Sequence, residues 1–338
     1  MQQRRIGAAN PVQARDVILD IAGGAPVAAR TGRFTATAGR LNLDELLAIG
    51  ASLAEAASAA TSASSQSADS SALDLEVALT SPGGALGGYT FDDLSTTMRV
   101  APGGLGLESL HFGMFSGRYD GVLRVASANS GPALELSGRV EGIDVATLLR
   151  QTTGSKSLSG TMSGNLAVTA EGLAAGDLLR TARGSGRVAI AHGAVPGLEM
   201  VRSVVLAFGK PSGAPPAGSG SAFTRLDGAF TLADRRLRGT DISFASRDFD
   251  MAGNAVVGLP EGAVEMRANV VLSRDLTAQA GTDLRRYAQQ DGRVVVPVVI
   301  SGTVASPRVT PDVAAATRRA LGNEVQRKVR GLLDRFLK

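Results

Sequence analysis

Two histidines, His111 and His192, are the only imidazoles in 338 residues, and there is no cysteine. Thiolate nucleophiles, disulfides and thiolate metal sites are therefore excluded, and a histidine-rich metal site cannot be assembled. Each histidine lies alone in a strand-like run, which reads as a solvent-facing or structurally bonded ring rather than a general base. The paired acids Asp92-Asp93 in YTFDDLS have the chemistry for acid–base work, but adjacent acids in such a context more simply decorate a turn. No G-x-x-x-x-G-K-[ST], G-x-S-x-G or H-E-x-x-H run occurs, and Gly184-Ser185-Gly186 lacks the third glycine and the helix of a dinucleotide site. With no acid, base and nucleophile to combine, the expectation is a non-enzymatic chain that uses no cofactor and no metal.

The elements themselves carry more information. Hydrophobic residues make up 44% of the chain, enough for a substantial core, yet aromatics are only 4%, there is no Trp and there are 42 glycines. An aliphatic core and a backbone broken by frequent turns suit many short strands. In LDLEVALT, Leu73, Leu75, Val77 and Leu79 alternate with Asp74, Glu76, Ala78 and Thr80, placing the large apolar side chains on one face. The alternation returns at Leu105 and Leu107, then Leu110, Phe112 and Met114. It recurs at Met162, Leu166 and Val168; at Val188 and Ile190; at Phe230 and Leu232; and at Val264, Met266, Ala268, Val270 and Leu272. A sheet that is apolar on one face is the repeated unit.

Helical spacing is expected over Leu41–Ala57, with Asn42 as cap, over Leu198–Phe208 and near Thr282–Gln290. An internal echo relates Leu41-Asn42-Leu43 with Leu46-Leu47 to Ile143-Asp144-Val145 with Leu148-Leu149, suggesting a repeated module in which a strand enters an Asx-capped helix. The Ser/Ala-rich tract from Ala56 to Ser71 and the segment Gly209–Ser221 read as linker and exposed loop. The expected division is a strand/helix segment at 1–57, a linker at 58–72, a β-rich domain at 73–310 and a terminal helix at 311–338. That last helix is amphipathic, with Leu321, Val325, Val329, Leu332 and Phe336 on one side and basic residues including Arg327 and Arg330 away from them. Two roles fit it: contact with an anionic membrane or partner, or a lid over the sheet with its basic side in water. Only Phe336 offers a stacking ring among its basic residues, and the formal net charge is just +4, so nucleic acid is not an expected partner. No stretch has the length and apolarity of a spanning helix, and the start has no apolar signal-peptide core.

The run Val296-Pro297-Val298-Val299-Ile300-Ser301-Gly302-Thr303-Val304-Ala305-Ser306-Pro307-Arg308-Val309-Thr310-Pro311-Asp312 closely resembles the closing motif of AsmA-family proteins. Phe223-Thr224-Arg225-Leu226-Asp227-Gly228-Ala229-Phe230-Thr231-Leu232, followed by Leu237 and Thr240-Asp241-Ile242-Ser243-Phe244, resembles the same family's paired strands. The resemblance covers Leu134 to Lys338 most fully. It departs from the pattern where Gly253-Asn254-Ala255 stands for Gly-x-Gly, and in having no inner-membrane anchor.

The resemblance implies a mainly β chain: a long curved antiparallel sheet, groove-like with one hydrophobic face, some α-helix, and an amphipathic helix at its end. It further implies a periplasmic location, with an inner-membrane anchor outside this sequence, and a role in outer-membrane lipid balance and assembly. Expected partners are phospholipid, the inner or outer membrane, and an envelope protein. Candidate lipid-facing residues are Leu73, Leu75, Val77, Leu79, Leu166, Val168, Val188, Ile190, Val264, Met266, Val270 and Leu272. The alternatives are a sandwich-like structural scaffold, or a module binding outer-membrane proteins through strand edges with no lipid cargo.

Overall fold

The computed structural model describes residues 19–24, 31–50, 52, 74–101, 104–128, 131–172, 175–196, 198, 222–279, 289–312, 315 and 318. The chain is mainly β with few helices. Its elements begin with β1 (Leu19–Gly24), β2 (Thr31–Ala38), β3 (Leu41–Asn42) and α1 (43–50). Five long strands follow: β4 (Asp74–Leu86), β5 (Tyr89–Ala101), β6 (Gly104–Met114), β7 (Gly117–Ala128) and β8 (Gly131–Asp144). Then come α2 (Val145–Thr153), β9 (Ser159–Glu171), α3 (Ala175–Thr181), β10 (Arg183–Ala194), β11 (Ala222–Ala233) and β12 (Arg236–Ala245). The last are β13 (Phe249–Gly258), β14 (Ala263–Leu272), α4 (Arg274–Gln279), β15 (Gln289–Gln290), β16 (Arg293–Thr303) and β17 (Ser306–Pro311). They fall into two compact units. Unit 1 holds Met1–Asp144, Met162–Gly186 and Leu232–Arg235; unit 2 holds Val145–Thr161, Arg187–Thr231 and Arg236–Lys338.

In unit 1, β4 through β8 form an antiparallel meander. The expectation of a purely antiparallel sheet is corrected at its start: β2 and β3 pair with β4 in parallel, so the sheet is mixed. A parallel pair needs a crossover rather than a hairpin, and here the crossover contains α1 and the Ser/Ala tract, so chain from both sides of that tract lies in one unit.

The phase slips of the apolar pattern have a structural cause. Leu107 and Leu110 are three apart, not two, because a bulge shifts the β6–β7 register there, with Ser109 at φ 50°. Phe91 and Leu94 slip in the same way across the bulge that holds Asp93 at φ 49°. Asp92-Asp93 thus belong to a bulged strand, not to a turn as expected from sequence.

Both Asx-capped helices of the internal echo are present, although the first begins at residue 43 because Leu41–Asn42 is extended. The Asn42 Oδ1 accepts the amide of Asp44 at 3.1 Å, an N-cap, while its Nδ2 donates to the Glu45 carboxylate at 3.1 Å and so holds the capping side chain in place. Leu43 and Val145, equivalent in the echo, are both buried, at 1% and 3% exposure. The expected helix near Thr282 ends differently, since Gln289–Gln290 is a strand paired to Arg293 and Val294. Residues 282–288, and all of Leu198–Phe208 except Leu198, lie outside the described residues.

The scarce aromatics concentrate in the cores rather than being dispensable. In unit 1 Phe112 stacks on Tyr119 at 5.2 Å and meets Phe91 at 6.1 Å. Burial pushes the Tyr119 phenol up to about 12, and its hydroxyl donates to Ser137 O at 2.9 Å. In unit 2 Phe244 stacks on Phe249 at 5.1 Å and tilts against Phe223 at 5.1 Å.

Helix α1 lies on the apolar face of unit 1, where Leu46 and Leu47 pack with Met98, Val100 and Leu134 around Leu105 and Val125. Gly50 permits this approach, because a Cβ there would meet the Leu105 side chain at 2.6 Å. In an exposed helix Gly→Ala stabilises by about 1 kcal/mol. Here Gly50→Ala is expected to do the reverse, lowering stability by about 1–3 kcal/mol in urea denaturation through overpacking. A stabilised variant would mean that α1 does not sit on Leu105.

Candidate functional site

Cross-strand register turns the alternation of single strands into rows. In unit 1 one row runs Phe34, Val77, Met98, Leu107, Leu123, Leu136 across β2, β4, β5, β6, β7 and β8. Its neighbour runs Leu75, Val100, Leu105, Val125, Leu134, beginning at Gly32. At about 4.8 Å between strands, six strands make a row of about 24 Å. The centre of these rows is sealed, with Leu107 at 0%, Val125 at 2% and Leu105 at 3% exposure. The flanks are not: Phe34, Leu75, Val77, Met98 and Val100 on one side, and Leu134 and Leu136 on the other, are partly exposed. Leu166 and Val168 of β9 repeat that half-buried alternation.

The opposite face is a charged ladder. Arg33 and Arg99 flank Glu76 from β2 and β5, at 3.0 and 3.6 Å, and the Arg33 hydrogen bond holds the Glu76 carboxyl below its ordinary range. Farther along, the His111 ring meets Asp120 at 2.5 Å, Arg118 reaches Asp120 and Glu141, and Arg139 reaches Glu141 at 3.7 Å. Of these, His111, Arg118 and Glu141 border a polar cleft of about 990 Å³ that also takes in Asp92, Asp93, Met114 and Phe115. Sequence reasoning left His111 without a partner because Asp120 comes from the next strand. The visible signal was the charge alternation in HFGMFSGRYD around a hairpin. His192 lies elsewhere, exposed, at φ 52°. Among the described residues no group of three or more His, Cys, Asp or Glu has the arrangement to hold a metal ion.

Unit 2 shows the contrasting state of an apolar sheet face. Phe249 pairs with Leu272, Met251 with Val270, and Val270 with Val296, and all five are buried, Val270 at 0% and Val296 at 1%. β16 is buried on both faces, with Val294, Val295, Val296, Val298 and Ile300 all at 8% exposure or less. Its entry is clamped by Arg293, which donates to Leu272 O at 2.7 Å, Val271 O at 3.1 Å and Asp250 at 2.9 Å, while Val294 N donates to Thr277 Oγ1 at 3.1 Å.

The candidate residues therefore divide. Leu79, Ile190, Met266, Val270 and Leu272 are buried core. Leu75, Val77, Leu166, Val168, Val188 and Val264 are partly exposed. Leu73 and the terminal-helix set Leu321, Val325, Val329, Leu332, Phe336, Arg327 and Arg330 lie outside the described residues.

Comparison with known proteins bears on what such rows are for. The model of the AsmA family matches residues 50–241. The chain belongs to the AsmA family. The match takes in the apolar rows of β4–β8 and the β11–β12 strand pair, starts well before Leu134, and leaves the closing Val296–Asp312 motif outside. AsmA proteins form a family of the cell envelope, associated with lipid transport and outer-membrane assembly. No curated protein and no solved structure matches the chain. No described helix of this AsmA protein is long and apolar enough to cross a membrane.

A charge placed at a sealed position and at a flank position has different consequences. Val270→Asp is expected to abolish cooperative unfolding, because an unpaired buried carboxylate costs several kcal/mol. Val77→Asp is expected to keep a cooperative transition, its carboxylate reaching water. Circular dichroism melts of the two variants check this, and equal damage from both would show that the flank is as closed as the core.

Proposed function

We propose that this AsmA protein is a non-enzymatic carrier in the periplasm that holds phospholipid acyl chains on the half-open flanks of its apolar rows. The single observation that carries the reading is the register: apolar side chains of six strands stand in line, across the strands, with both flanks partly open to solvent. The open flank from Phe34 through Val77 to Met98 crosses three strands, about 10 Å, and so can take part of the roughly 15 Å that one acyl chain spans in half of a 30 Å hydrocarbon core. At about 0.8 kcal/mol per methylene, a chain of roughly 16 carbons gains about 13 kcal/mol gross by leaving water for such a surface. Sliding along the row exchanges one methyl contact for an equivalent one, so its barrier is far below that of escape. The headgroup stays wet, so the reading needs neither a polar recognition site nor a cofactor. Family membership supports the wider frame of lipid transport and outer-membrane assembly; the inner and outer membranes and an envelope protein are the partners this reading calls for.

A second reading has its own observation. α1 covers the centre of the Leu105–Val125 row, with Leu46 and Leu47 doing there what a second sheet does in a sandwich. Were the flanks covered as well, the chain would be a scaffold or a module for outer-membrane protein assembly.

Native mass spectrometry of the chain purified from a Gram-negative envelope separates the two. Phospholipid is expected at one or more molecules per chain in the wild type, and at least fivefold less in folded Val77→Asp and Val168→Asp. Wild-type protein free of lipid would favour the scaffold.

A further inference from the structure

The closing motif, which the acyl-chain reading leaves unused, lies in unit 2 as β16, a two-residue turn at Val304–Ala305, and β17. Among the described residues β17 has one strand partner, β16, so its other side is an edge. The direction of each amide along that edge follows from the register. Thr303 pairs with Ser306, Ser301 with Arg308 and Val299 with Thr310, and beyond them Asp312 N donates to Pro297 O at 2.9 Å. That bond fixes the phase. In an antiparallel pair alternate residues direct both N–H and C=O to the same neighbour, so Ser306, Arg308, Thr310 and Asp312 face β16. Pro307, Val309 and Pro311 face outward.

Two of the three outward residues are prolines, which have no N–H to give. The edge thus presents three carbonyls and a single amide donor, that of Val309. Neither proline costs the β16 ladder a bond, because each replaces a residue whose amide would have pointed away from it. Moved one position either way, each would break the pairing instead. An unprotected edge strand is a template for a further strand, and proline at outward positions is one of the ways that template is removed.

We propose that β17 is a sheet terminator: the placement of Pro307 and Pro311 closes this edge of unit 2 to strand addition by a second copy of the chain. A second copy would bring the same three acceptors and one donor, leaving most carbonyls along the seam opposite a proline ring that has no N–H to give. A partner that docks by extending the sheet is turned away here on the same grounds.

The test uses the full chain with Pro307→Val and Pro311→Thr, substitutions suited to a strand that restore both missing donors. Sedimentation velocity and hydrogen exchange are measured together over a hundredfold concentration range. The double variant is expected to self-associate at least tenfold more tightly than wild type, doubling in mass, with the amides of residues 307, 309 and 311 becoming protected as it does so. Wild type is expected to show a fast-exchanging Val309 amide at every concentration. A folded double variant whose outward amides stay unprotected overturns the proposal, as does wild-type association that protects Val309. Pro311 faces Val298 in the core, so the single variant Pro307→Val, opposite Gly302, is measured in parallel. It restores one of the two missing donors, so that two of the three outward residues can donate, and is judged by the same readouts. Failure of this single variant to fold would also contradict the account, which assigns Pro307 no part in the β16 ladder.

Discussion

Apart from β16, which is apolar on both faces, the long strands among the described residues present mainly apolar side chains to one face and polar ones to the other, and the apolar face must be taken out of water. The rest of the architecture follows from how that is done. Pairing in register collects the apolar residues of β2 and β4–β8 into continuous rows. Bulges at Asp93 and Ser109 keep the rows on one face where the sequence inserts an extra residue. The opposite face is then left for charge, and the Arg33–Glu76–Arg99 and His111–Asp120–Arg118–Glu141 ladders occupy it. Being exposed, these pairs contribute register and solubility more than stability.

The two units answer the same requirement differently. Unit 2 seals its face, so that Val270, Leu272, Val294 and Val296 have essentially no exposure, and β16 is buried on both sides. Unit 1 seals the centre of its two rows, with α1 packed over Leu105 and Val125, and leaves apolar flanks partly open. A sealed face spends its apolar surface on folding; a half-open one retains surface for something that is itself apolar. This difference separates residues that merely look alike in sequence, and it is why Val77 and Val270 are assigned unlike roles.

Much of this was legible in the residues. Period-two alternation located many of the strands, whereas the three-residue steps from Phe91 to Leu94 and from Leu107 to Leu110 became bulges only through the strand register. Asn42 and Asp144 marked strand-to-helix junctions because an Asx side chain competes for the first free amides of a helix. The parallel pairing of β2 with β4 was not legible, since nothing local distinguishes a parallel partner across some 40 residues from an antiparallel one. Nor was the placement of α1 on Leu105, which depends on Gly50 meeting a residue far away in sequence. The candidate site was legible as a face but not as an opening: alternation says which side chains point together, while exposure depends on what lies above them. The prolines of the closing motif were conspicuous in sequence, yet their meaning needed the phase of the ladder, fixed by the bond from Asp312 to Pro297.

The central claim is that acyl chains lie on the flanks of the unit 1 rows. Photocrosslinking with a phospholipid carrying a diazirine at mid-chain, followed by peptide mapping of the labelled residues, addresses it most directly. The account predicts labels at Leu75, Val77, Leu134, Leu136, Leu166 and Val168, and none at Val270 or Leu272. Labelling confined to the charged face around His111 and Glu76, or no labelling at all in folded protein, would contradict it.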